Sequence, residues 1–202
     1  MPKILSTLLA TLLIGSFSFA QTAPSNPTAR LRGTIEKIEA GQITIKERRG
    51  ETITLAAADN FPMNEVYPID ISEIKAGSFI GTGAIPKPDG TLEAIEVLVF
   101  PEAMRGTGEG HGVWDLLPNS TMTNATVADV VTATQGRRMS LTYKGGTKTV
   151  DIPPNVPIVT FRPGTKDLLV VGAKVIIIAT EQGGKPTLLR MTIGRNGFAP
   201  PM

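Results

Sequence analysis

The strongest constraint on this chain is that one pattern of short apolar alternations is written in it twice. In the first copy, Leu31, then Ile35 and Ile38, then Ile43 and Ile45, then Ile53 and Leu55 fall mostly at spacing two between polar residues, and the turns Ala40-Gly41 and Arg49-Gly50-Glu51 separate them. Successive side chains of a strand point to opposite faces, so this spacing describes short antiparallel strands with one wet face. Asp59 to Ile71 contains Pro62 and Pro68 and reads as a loop. Ile71 to Gly77, with Ser72 as cap candidate and a closing glycine, reads as one helical turn. Two more strands follow, near residues 79–85 and 92–99, joined by the turn Lys87-Pro88-Asp89-Gly90.

The second copy repeats that order. Gly33 to Ile38 resembles Ala125 to Val130, Ile43-Thr44-Ile45 aligns with Met139-Ser140-Leu141, and Ile53-Thr54-Leu55 aligns with Val150-Asp151-Ile152. Ser72 to Ala84 matches Asp167 to Ala179 without a gap, and Ile95 to Val99 matches Leu189 to Ile193. Each half therefore reads as five strands with a long connection after the third. The expected fold is all-β, with two tandem five-stranded OB-like barrels over residues 30–100 and 125–202, because closing a barrel removes exposed sheet edges. The alternative is an open sandwich shared by both halves.

Residues 1–20 read as a secretory signal: Lys3, an uncharged run from Ile4 to Phe19, and the small residue Ala20. An uncleaved anchor helix is the competing reading. Residues 21–29 are rich in Thr, Ala, Pro, Ser and Asn and suit a flexible spacer. No later stretch reads as membrane-spanning, because the apolar run Leu168 to Ala179 is short and holds Gly172 and Lys174. The expected destination is periplasmic or secreted. Cleavage after Ala20 removes Lys3 and no acid, so the mature chain is close to neutral, which gives no electrostatic case for nucleic acid. The chain has no cysteine, so disulfides, thiolate metal sites, cysteine nucleophiles and a lipoprotein anchor are all excluded.

The connector, residues 101–124, carries glycine at every second position from 106 to 112 and the only histidine and tryptophan of the chain, His111 and Trp114. The stretch Phe100-Pro101-Glu102-Ala103-Met104-Arg105-Gly106-Thr107-Gly108-Glu109-Gly110-His111, with Trp114-Asp115, Met122 to Val127 and the closing Gly194-Arg195-Asn196-Gly197, resembles a family of uncharacterised exported bacterial proteins with OB-like domains. Members sometimes carry the label of a metal transporter permease, which would need several spanning helices that this sequence lacks after its opening segment. The resemblance implies a fold and no activity or functional residues.

The residues themselves single out His111, Trp114, Arg105 and Asp115 as candidate ligand contacts. They also set out a metal alternative, copper or zinc held by His111 with Glu109, Met104 and Met122. The alternating glycines lack the Gly-Lys-Ser/Thr ending of a phosphate loop, and no serine sits in a nucleophile elbow. No catalytic constellation stands out. The expected function is that of a noncatalytic binding module for a cell-envelope protein, a glycan or a small ligand, with no resident cofactor.

Overall fold

A computed structural model describes residues 27–133 and 136–201; the signal-like segment 1–20 and most of the spacer lie outside the described residues. The chain is all-β. Its strands are β1 (Thr28–Glu39), β2 (Gln42–Glu47), β3 (Thr52–Ala56), β4 (Met63–Pro68), β5 (Phe79–Pro86), β6 (Leu92–Val99), β7 (Gly110–Val113), β8 (Thr121–Ala133), β9 (Gly136–Tyr143), β10 (Gly146–Ile152), β11 (Ile158–Pro163), β12 (Lys174–Gln182) and β13 (Lys185–Gly194). β1 therefore takes in Thr28 and Ala29, the last two residues of the expected spacer.

The two halves exchange strands. The meander β1-β2-β3 is completed by β12 and β13 of the other half: β1 pairs β12 from Thr28–Thr180 to Thr34–Lys174, and β3 meets β13 in parallel at Ala56–Thr187. The meander β8-β9-β10 is completed by β5 and β6: β5 pairs β8 from Phe79–Thr126 to Ala84–Thr121, and β10 meets β6 in parallel at Val150–Leu92. The division at 30–100 and 125–202 thus cuts through both rings rather than between them. Its physical reason is the repeat: β5-β6 and β12-β13 offer equivalent edges and faces, and alternation fixes which face a strand buries, not which copy it pairs with.

The long connection after the third strand, read as a loop, contains β4, and its counterpart contains β11. These two pair with each other in antiparallel and run parallel to β13 and β6, so the rings join into one continuous sheet. Pro68 and Pro163 take the last position of their strands, where a missing N–H costs little. A short 3-10 turn follows β4 at Ile71–Glu73, and its cap is Asp70, whose Oδ1 accepts the Ser72 N–H at 2.8 Å, rather than Ser72.

Each ring has its own core, and each core is mixed in origin. Ile35, Ile45 and Leu55 pack with Ile177, Met191 and Ile193 in one. Ile80 and Val97 pack with Val127, Leu141 and Val150 in the other. Bulges fall at matching places in the two copies, at Ile35/Lys37 and Val127/Asp129 and again at Gly83/Ala84 and Ile178/Ala179. An inserted residue bends a strand and raises its twist, which a ring of few strands needs to curl on itself.

Glu65 ties the bridging strands together. Its side chain is 3% exposed and accepts hydrogen bonds from Arg162 on β11 and from Arg195 after β13. Those bonds, Arg162 first, hold its carboxyl at about 2 against an ordinary 4.5. The stabilisation is complete above the ordinary carboxylate range and fades as pH falls toward 2. Glu65→Gln is expected to cost about 2 kcal/mol at pH 7, discounted because both guanidinium groups reach water. In urea unfolding from pH 6 to pH 2 the two proteins should converge; a constant gap would show that the ion pairs are not its source.

Candidate functional site

The site lies between the rings and is shaped by a local asymmetry of the repeat. On β5, Ile80 and Ala84 point into a core, so Gly81 and Gly83 face outward. A Cβ on Gly81 would sit 2.5 Å from Asn124 Oδ1 and 3.1 Å from the Phe100 ring, and one on Gly83 would sit 2.8 Å from Glu96 Oε1. The two glycines let Asn124, Phe100 and Glu96 lie flat against β5. In the other copy the matching positions are Ile176 and Ile178, which project. The flat face and the projecting face leave a cleft of about 290 Å³, lined by Leu98, Phe100 and Met122 on one side and by Ile176, Ile178 and Thr192 on the other.

The connector forms one wall of this cleft and is fastened at several points. After Glu102–Met104, Arg105 donates to Glu102 at 2.6 and 2.7 Å and to the Gly77 carbonyl at 2.9 Å. Asn124 Nδ2 donates to the Thr107 and Gly108 carbonyls at 3.2 and 3.1 Å. β7 then pairs with β8 and delivers Trp114-Asp115 to the first ring. Asp115 accepts two bonds from Arg32, both at 2.9 Å, and one from Arg30 at 3.3 Å, while the Arg30 guanidinium stacks 4.0 Å from the centre of the Trp114 ring. The Arg32 bonds hold the Asp115 carboxyl at about 2. Trp114, Met104, Thr107 and Gly108 complete the cleft lining.

Beside Trp114 sits the most unusual group in the molecule. Glu96 is 1% exposed, and neither of its carboxyl oxygens meets hydrogen-bond geometry with a partner among the described residues; the same holds for Trp114 Nε1, which lies near the carboxyl without closing a bond to it. Burial pushes the carboxyl up to about 7 against the opposing pull of Arg32, Arg30 and the nearby indole N–H.

Of the residues singled out in the sequence, Trp114, Met104 and Met122 line the cleft, Asp115 clamps the connector, and Arg105 anchors it on the far side. His111 and Glu109 do not line the cleft. His111 Nδ1 bonds Thr123 Oγ1 at 2.8 Å, with the imidazole stacked 6.3 Å from Tyr143. Because His111 pairs with Thr123, it shares that residue's face of the β7-β8 ribbon, opposite Met122. Burial, then the Lys148 charge, lowers its pKa. Glu109 Oε1 accepts the Lys144 N–H at 2.9 Å. Among the described residues no group of three or more His, Asp or Glu side chains is placed to hold a metal ion.

Sequence reasoning missed Arg30, Arg32, Glu96, Asn124 and Arg190. One signal was present: Glu96 and Arg190 occupy the same repeat position with opposite charges, each between two apolar neighbours, Ile95 and Val97 or Leu189 and Met191. No family model, curated protein or solved structure matches the chain.

Proposed function

We propose that this chain is an exported binding protein whose ligand is a small molecule held in the cleft between the two rings. The observation that carries this reading is the cleft: about 290 Å³, mostly apolar, with a few polar groups among its lining and the connector fastened along one wall. That volume is at the low end of ligand-sized cavities, which favours a small molecule over a protein or glycan segment. The export half of the reading rests on Lys3, the uncharged run to Phe19 and Ala20. We read each ring as an OB-like barrel whose last two strands come from the other copy, since a three-strand meander closed through a parallel pairing is the Greek-key order of that barrel.

The test uses Trp114, the only tryptophan in the chain and part of the cleft wall. Octanoate, octanol and octylamine serve as eight-carbon probes of differing charge. At least one should shift the Trp114 emission saturably in the wild type, and Thr192→Phe, which fills the cleft, should abolish that shift while leaving the melting temperature unchanged. A shift that survives Thr192→Phe puts binding elsewhere, and no shift with any probe overturns the reading.

A further inference from the structure

The cleft is charged on one side only. Two arginines, Arg30 and Arg190, are among its lining residues, and no aspartate or glutamate is. Arg30 is engaged with the Trp114 ring and with Asp115, an acid that already gives both its oxygens to Arg32. Arg190 has no acidic partner among the described residues. It lies close enough to Arg30 for the two like charges to oppose each other, an effect that adds to burial in lowering the Arg30 pKa. Arg190 pairs with Ile178 across β12-β13, and Thr192 pairs with Ile176, so a cation, a hydroxyl and two branched apolar side chains share one sheet face. Asn64 sits beside Thr192 on β4 and also lines the cleft.

We propose that the cleft selects a small monocarboxylate with an apolar body, its charge taken by Arg190 beside Arg30 and its body laid on Ile176, Ile178, Leu98 and Phe100. This rests on the reading of the cleft as a ligand site. A guanidinium fork matches a carboxylate in shape and binds it through two parallel charge-assisted bonds. The carboxylate also relieves the repulsion between the two arginines, whereas an ammonium group of the same size would add a third cation. Glycine at position 81 matters to the same end, because it leaves the opposite wall flat enough for a chain or ring to lie against it.

The experiment ranks the three eight-carbon probes against wild type and Arg190→Gln, with Thr192→Phe as the blocked control. In the wild type, octanoate should bind about ten-fold more tightly than octanol, and octylamine more weakly than either. Arg190→Gln should weaken octanoate about ten-fold and leave octanol unchanged, since Arg190 is exposed and holds no structural ion pair among the described residues. Octanol binding as tightly as octanoate, and blocked by Thr192→Phe, would overturn the anion selectivity while the ligand site stands. Equal loss of octanoate and octanol in Arg190→Gln would make Arg190 a wall of the cleft rather than the charge receptor, and overturns the proposal as well. Absence of binding by all three probes removes both readings together.

Discussion

Replacing Glu96 by glutamine raises the melting temperature at pH 8 and leaves it nearly unchanged at pH 4. The carboxyl is 1% exposed and meets hydrogen-bond geometry with no partner among the described residues, and burial raises its pKa from 4.5 to about 7. Between those values the folded protein holds the proton and the unfolded chain does not, so stability falls as pH rises. Across that interval the loss accumulates to about 3 kcal/mol, and it is complete by pH 8. In a chain of this size that is about 6–12 °C in melting temperature. Glutamine keeps the shape and carries no proton to lose. Glu65, also buried, works in the opposite direction, because its two arginines stabilise the charged form. Thermal melts of wild type and Glu96→Gln at the two pH values check this. A gap of equal size at both would mean that the carboxyl stays in one ionisation state, and a destabilised variant would mean that it is hydrogen-bonded after all.

Legibility in the sequence followed the physics of each element. Strands whose one face is wet and whose other face enters a core announce themselves by alternation, and Ile43 and Ile45 of β2, both buried between polar neighbours, were legible for that reason. β4 does not alternate cleanly: Glu65 and Val66 are both buried, and the charge is satisfied by arginines 97 and 130 residues away. No local pattern encodes such partners. The exchange of strand pairs is silent for a related reason, since both copies offer the same edges. In the site, Trp114 stood out because the chain has one tryptophan, whereas Arg30 and Arg32 look like ordinary solvated charges on a wet face until Asp115 is brought to them. The rarity of His111 was a weaker guide. An edge strand places it against Thr123 and Tyr143, away from the cleft that its neighbours line.

Cutting the chain after Gly106 leaves the two fragments together as one folded species. Gly106 is exposed, with a positive φ of 82°, and a protease site inserted there lies outside both rings. If each ring were formed by one consecutive half, the fragments would separate into two folded species of about half the mass. With the observed pairing they remain joined by seven residue pairs between β1 and β12 and six between β5 and β8, and by two cores that draw side chains from both fragments. Size-exclusion chromatography of the nicked protein at micromolar concentration should give a single peak containing both fragments. Its melting temperature should rise with concentration, because unfolding now releases two chains. Two separate folded peaks would restore the tandem division. The same pairing bears on the cleft. Rings joined through β4 and β11 cannot swing apart without breaking sheet hydrogen bonds, so the walls carrying Ile176 and Phe100 are held together by the sheet.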